Sequence, residues 1–323
     1  MAELVADPLR VAPRARHGAA QLVEGAVRVP PRHDDLPAGG TGGSDTVSEV
    51  ALRHFSYLDG MLMGRDGHQS GDMAPDLHKH PDGIQALLLD FYGTLARSTQ
   101  WLSIDVVLAE HGVELPEDVR NRYWNEGIDG IEHLEHSQSR DHYVEWQRQR
   151  VLAMLAETDV HPGEYEVILD KFRQGNETRV LEAYPEVPGV LDALRDQGLR
   201  LAICSNWDWD LTEAVDEVGL VDRVDVIVSS AWAGARKPHP RIFEHTLAKV
   251  GVEPASVLFV GDTWGPDVVG PRAAGMTPVY LQREGHWPDD TAPAYFASGD
   301  VTLAPDLHTL LTLVVPAREE ELS

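Results

Sequence analysis

Three acids and one amine carry the chemistry open to this chain. Asp90 ends the apolar run of "LLLDFYGTL", residues 87–95. Asp262 ends "SVLFVGD", and Asp267 follows it by five positions. Lys237 stands in "GARKPHP", while Ser205 and Asn206 close "LAICSN". A carboxylate on a rigid strand end can attack an electrophile and form a covalent intermediate. Two more carboxylates suit one Mg²⁺, which takes few protein ligands and shares the rest with substrate oxygens. Lys237 would offset the crowded negative charge and hold nucleophile and phosphate as a point charge. Ser205 and nearby backbone N–H groups could bind the remaining phosphate oxygens. This set describes phosphoryl transfer through an aspartyl phosphate.

Such groups can act together only if the fold brings them to one place. From Gly83 onward, short apolar runs alternate with helical periodicity: "IQALLLD", "LRLAICSN", "VDVIVSS", "SVLFVGD" and "TPVYLQ". Runs of this length, rich in Val, Ile and Leu and nearly continuous, read as strands covered on both faces in a parallel sheet. Between them, "VPGVLDALRDQG" places Val187, Val190, Leu191 and Leu194 on one helical face, with Gly198 as its stop. "PRIFEHTLAKVG" opens at Pro240, lines up Phe243, Leu247 and Val250, and closes at Gly251. The alternation predicts a doubly wound α/β domain. Its strands' carboxyl ends share one edge, so Asp90, Ser205, Lys237 and Asp262 converge there.

About a hundred residues separate the first strand from the second, and 101–182 holds helical stretches such as "LSIDVVLAEHG" and "RDHYVEWQRQRVLAMLAE". The expected organisation is a core of residues 84–100 and 183–315, with a helical cap at 101–182. Residues 1–83 carry seven prolines and eleven glycines and read as a largely disordered tail. Within it, 48–64 is the one segment apolar enough for a short helix. "GTGG" at 40–43 is no phosphate loop, since no buried strand precedes it and no lysine follows.

A net charge of −26 disfavours nucleic-acid and anionic-membrane partners, whose phosphates would be repelled. No run is long enough to span a bilayer, no basic-then-apolar leader opens the chain, and the one cysteine, Cys204, fits a reducing cytoplasm. Cytoplasmic location is the expectation; oligomeric state is not legible.

In order and spacing, "LLLDFYGTL", "LAICSN", "RKP" and "GDTWGPDVVGPRAAGM" resemble the four motifs of the haloacid dehalogenase-like hydrolase superfamily, over about residues 83–282. The "GDT" segment with Asp267 is the most specific part. The inserted helices resemble that superfamily's C1 cap of subfamily I. The resemblance implies a Rossmannoid parallel sheet of five or more strands with the first motif central. It implies Asp90 as nucleophile, Thr94, Ser205 and Asn206 as substrate-binding residues, and Lys237 as the third-motif lysine. It also implies Mg²⁺ held by Asp90, Asp262, Asp267 and the backbone carbonyl of Tyr92.

One position departs from the pattern. Phosphatases of the superfamily carry a second aspartate two residues after the nucleophile, which protonates the leaving group and then activates water. Here that residue is Tyr92. Loss of a placed acid/base costs about 10²–10⁴-fold; a phenol can give up a proton but is a poor base. The L-2-haloacid dehalogenase branch also reads Asp-x-Tyr-Gly-Thr, attacks carbon and uses no metal, but lacks a counterpart of Asp262. Three clustered carboxylates without a cation would repel a haloacid's own carboxylate. The expectation is therefore a Mg²⁺-dependent hydrolase acting on a small phosphorylated metabolite. Dehalogenation through an aspartyl ester, and a non-enzymatic member, are the alternatives. Tyr92 would best suit a leaving group that needs no protonation, such as that of an acyl phosphate.

Three further groups read as structural. Cys204 belongs to a buried strand and is expected in the core. Trp207, Trp209, Trp232 and Trp264 follow strands and could pack, touch the cap or line an aromatic pocket. His133, His136 and His142 read as a solvated helical face rather than a zinc site, because no third ligand is placed.

Overall fold

Near-continuous apolar runs need cover on both faces, and the computed structural model provides it. The structure describes residues 83–124, 126–284 and 301–314. In chain order the elements are β1 (Ala86–Leu89), β2 (Ala96–Gln100), α1 (Ile104–Glu110), α2 (Glu117–Tyr123), α3 (Arg140–Ala156) and α4 (Tyr165–Glu177). Then come β3 (Val180–Ala183), α5 (Val187–Asp196), β4 (Arg200–Ser205), α6 (Leu211–Glu217), β5 (Val226–Ser229) and α7 (Pro240–Val250). The series ends with β6 (Val257–Gly261), β7 (Thr277–Leu281), β8 (Thr302–Ala304) and α8 (His308–Val314). The expected tail, its possible helix at 48–64 and the "GTGG" segment lie outside the described residues.

Six strands form one parallel sheet in the order β5-β4-β1-β6-β7-β8. All five runs read as strands are strands, and β1 lies inside the sheet between β4 and β6. The sixth, β8, is only three residues long and carries too little pattern to be seen in advance.

Alternate side chains supply two cores. Leu87, Leu89, Leu201, Ile203, Leu258 and Val260 pack beneath α5, α6 and α8. Leu88, Ala202, Cys204 and Phe259 face the other way, toward Ile242, Phe243 and Val250 of α7. This is the doubly wound arrangement that fully apolar strands require. Cys204 sits in the second core, where burial pushes its thiol up to about 12, so it is packing rather than chemistry. The two helices read from periodicity end as expected, with Gly198 and Gly251 at positive φ just beyond α5 and α7.

Helices α1–α4 all fall between β2 and β3 and enclose an apolar cluster of their own, built on Val107, Leu108, Met154, Leu155 and Ile168. Ser103 and Ser139 cap α1 and α3 by accepting from the Val106 and His142 N–H groups. The insertion is entered and left through an antiparallel β2–β3 ladder, although no strand was expected from 101 to 182. β2 is polar and mostly exposed, and β3 is only four residues with Leu181 alone buried, so neither has the long apolar run on which a sequence reading depends. Among the described residues no helix is long and apolar enough to cross a membrane.

Candidate active site

The carboxyl ends of β4, β1 and β6 lie side by side, so the residues that follow them meet. The Asp90 N–H donates to the Val260 carbonyl of β6 at 2.9 Å, which fixes the point where the aspartate leaves the sheet. The Lys237 ammonium, in the segment after β5, donates to Asp90 Oδ1 at 2.6 Å and to Asp267 Oδ1 at 2.6 Å. Asp90, Lys237 and Asp267 are all buried, with Asp267 and Lys237 each 1% exposed. The Ser205 hydroxyl also hydrogen-bonds Asp90. One oxygen from each of Asp90, Asp262 and Asp267 lies within 4.8 Å of the others.

Two glycines allow this crowding. Gly93 turns the chain after β1 at φ +85°, and a Cβ there would stand 2.1 Å from Asp262 Oδ2. A Cβ on Gly261 would meet the Asp267 carboxylate at 2.4 Å. Asp262 accepts from the Thr94 hydroxyl at 3.3 Å, so the β1 loop touches it twice. Asp267 sits in the helical turn Gly265–Val269, and its Oδ2 accepts from the Thr263 N–H at 3.0 Å.

The electrostatics ask for another cation. Burial pushes the Asp90 carboxyl up; Lys237 pulls it back, and Asp262 raises it again. Burial likewise lifts Asp267, to about 8, against the pull of Lys237 and with added repulsion from Asp90 and Asp262. Burial would lower Lys237, but Asp267 and Asp90 outweigh it and hold the ammonium above the usual lysine range. One ammonium is shared by Asp90 and Asp267, and Asp262 adds repulsion to both, so a further cation would be favoured there. An all-oxygen donor set of three carboxylates suits Mg²⁺, so these residues fit the ion that the resemblance implies.

Every site residue read from sequence except Tyr92 brings its side chain into this network. Asn206 is bound more closely than expected: its Oδ1 accepts from the Lys237 N–H at 2.6 Å and its Nδ2 donates to the Lys237 carbonyl at 3.0 Å. The amide thus clamps the backbone of the lysine. The Tyr92 hydroxyl is paired with Ser98 Oγ of β2 at 2.9 Å, and its ring packs against Trp101 and Trp207.

Several contributors escaped the sequence reading. Arg283 donates to the Thr94 carbonyl at 2.8 Å and ion-pairs with Glu186, steadying the nucleophile loop from a site with no motif. Gly130 donates to the Lys237 carbonyl at 3.1 Å, and the Arg236 N–H donates to Ile131 at 3.0 Å. The inserted helices therefore reach down to the lysine segment through backbone pairing, which leaves no side-chain signal. Asp129 accepts from Asn206 Nδ2 at 3.4 Å in the same place.

The histidines need a correction. His133 is buried rather than solvated, stacked on Trp146 with ring centroids 4.6 Å apart, and burial lowers it to about 4. His136 lies in a short 3₁₀ turn on the same Trp146, and His142 is exposed at the start of α3. Among the described residues the one carboxylate, histidine or cysteine group arranged for a metal is the aspartate trio. Of the tryptophans, Trp209 meets Tyr143 of α3 and Trp264 packs on Tyr280.

Known proteins resemble this chain across the region that carries these residues. The family described as "Hydrolase: haloacid dehalogenase-like hydrolase" matches residues 84–275. Phosphoglycolate phosphatase of Aquifex aeolicus is 30% identical over 218 residues, which is 64% of this chain and 92% of that protein. Haloacetate dehalogenase H-2 of Moraxella sp. is 35% identical over 122 residues, 35% of this chain and 54% of that protein. Mammalian relatives match over 27% of this chain, and the chain spans 35–36% of their length. A solved structure described as a "predicted phosphoglycolate phosphatase" from Haemophilus somnus superposes with a TM-score of 0.53. It is 21% identical, covers 72% of this chain and 98% of its own, and speaks to the fold alone.

Proposed function

Because the chain belongs to the haloacid dehalogenase-like hydrolase family, we propose that it is a Mg²⁺-dependent phosphohydrolase working through a phosphorylated Asp90. The observation that carries this reading is Asp262, whose carboxylate lies within 4.8 Å of Asp90 and Asp267, the two acids that share one buried ammonium. A metal-free dehalogenase would have to admit a carboxylate substrate into that charge.

Asp90, Asp262 and Asp267, with the Tyr92 backbone carbonyl, would hold the ion. Bound there, Mg²⁺ would supply charge to offset the acids and the phosphate oxygens. The chain's own residues do the rest. An Asp90 oxygen attacks phosphorus; its O–P bond forms as the bond to the leaving oxygen breaks, and that oxygen departs with both electrons. Lys237 keeps Asp90 ionised and oriented. Ser205 and Thr94 would offer their hydroxyls to the phosphate oxygens, and Asn206 would serve them by holding the backbone of Lys237. Water then attacks phosphorus, the Asp90 O–P bond breaks, and a proton passes to solvent as phosphate leaves.

Nothing at position 92 replaces the usual shuttle, because the Tyr92 hydroxyl is engaged with Ser98. Leaving groups that depart without protonation should therefore react best. Acetyl phosphate should be hydrolysed with Mg²⁺ and spared in EDTA. Halide released from a 2-haloacid in EDTA, with acetyl phosphate untouched, would reverse the assignment in favour of dehalogenation. Tyr92→Asp should raise turnover of an unactivated alkyl phosphate by about 10²-fold, measured as phosphate release; an unchanged or lower rate would show that the missing acid is not the limiting deficit.

A further inference from the structure

Beside the nucleophile stands a group of rings with no task in the chemistry above. Tyr92 follows Asp90 by two residues, Trp207 follows Ser205 by two, and Trp101 lies where the chain leaves β2 for α1. Their centroids form a triangle: 5.3 Å from Tyr92 to Trp101, 6.1 Å from Tyr92 to Trp207, and 5.9 Å from Trp101 to Trp207. Three separate segments, two of them leaving adjacent strands of the site, thus present one aromatic surface.

Each ring is pinned. Tyr92 bonds to Ser98 at 2.9 Å, the Trp101 indole N–H donates to Asn176 at 2.7 Å, and that of Trp207 donates to Asp210 at 3.1 Å. Arg179 pairs with Asp210 and lies over Trp207, 5.2 Å from its centroid. Yet Tyr92 remains 36% exposed and Trp101 39% exposed, while Trp207 beneath them is buried. Rings fixed by hydrogen bonds and left half open are costly for folding alone and cheap to bind against, because little rotamer freedom remains to be lost.

The geometry points to this triad as a platform for an aromatic leaving group, which makes the substrate class phosphate esters of phenols or comparable aromatic acids. The inference rests on the phosphohydrolase reading. A second feature agrees with it. The Tyr92 hydroxyl is committed to Ser98, so the departing oxygen finds no acid from that residue. A phenol ionises near pH ~10, far more readily than an aliphatic alcohol, and its aryloxide can leave with the P–O electrons and take a proton from water afterwards.

Trp101→Ala tests the platform, because Trp101 joins it at the rings of Tyr92 and Trp207 and is not one of the acids or the amine assigned to the chemistry. The kcat/KM ratio of phenyl phosphate to acetyl phosphate should fall about tenfold in this variant, while Trp101→Phe should hold it within about twofold. An equal loss on both substrates, or no change in the ratio, overturns the inference. Wild-type protein that hydrolyses neither substrate would sink the catalytic reading instead. The platform is then judged by calorimetry in Mg²⁺ with phenylphosphonate and methylphosphonate. A phenyl preference of about tenfold that Trp101→Ala abolishes supports it; equal affinities, or no binding of either, overturn it.

Discussion

Asp90→Asn is expected to reduce phosphate release from acetyl phosphate by at least about 10⁴-fold while leaving the fold intact. The amide has the size of the carboxylate but cannot serve as the nucleophile, and losing a covalent catalyst costs on the order of 10⁴–10⁶-fold. The substitution should not unfold the protein. Asp90 is one of two acids sharing one ammonium, and Lys237 keeps its 2.6 Å contact with Asp267 when Asp90 is neutral. Circular dichroism and a thermal melt beside the rate assay would separate lost chemistry from lost structure. Retention of more than a few per cent of wild-type turnover would contradict the assignment of the nucleophile.

Lys237→Met should have the largest effect on stability, and its sign should depend on the ion. The ammonium is 1% exposed and donates to two carboxylates. Removing one partner of a buried ionic group costs roughly 3–5 kcal/mol, because the charges left behind remain desolvated. Asp90 and Asp267 would then face each other without the ammonium that now joins them. Urea midpoints in EDTA should fall accordingly, and adding Mg²⁺ should recover part of the difference, since a divalent ion bound only by the folded form stabilises it by mass action. A midpoint that ignores Mg²⁺ would contradict the view that these acids form an ion site. Turnover should fall by on the order of 10²–10³-fold even with Mg²⁺ present, as for other lost electrostatic contacts to a reacting group.

Much of this was legible in the sequence because a parallel sheet makes its signals local. The runs ending at Leu89, Ser205 and Gly261 are apolar on both faces, and a strand so covered has only one edge on which to place the polar residue that follows it. Asp90, Ser205 and Asp262 could be assigned to one crevice without knowing any distance. Lys237 was harder, since a segment of several residues separates it from β5, and its position depends on Asn206 clamping its backbone. Neither end of that clamp has a pattern.

The features that escaped are those decided by tertiary contact. Gly93 reads as one more turn glycine until Asp262 arrives where its side chain would be. Tyr92 could be recognised as a missing acid, but not that its hydroxyl would go to Ser98 in a strand too polar to be seen. His133 reads as solvated because no third metal ligand is placed beside it; Trp146 and Tyr143, from the following helix, pack on it instead. Arg283 steadies the nucleophile loop from a position nearly two hundred residues away. Gly93 and Arg283 meet partners remote in the chain, Tyr92 and His133 nearer ones, and a single sequence carries no record of either kind of pairing.

The claim beneath all of this is that Asp90 becomes covalently bonded to phosphorus. Acid quenching within one turnover of acetyl phosphate and Mg²⁺, followed by mass measurement of the digested protein, reads that bond directly. The account predicts the added mass of one phosphoryl group on the peptide containing Asp90, absent in EDTA and in Asp90→Asn. Turnover proceeding with that peptide unmodified, or with the phosphoryl group on another residue, would contradict it.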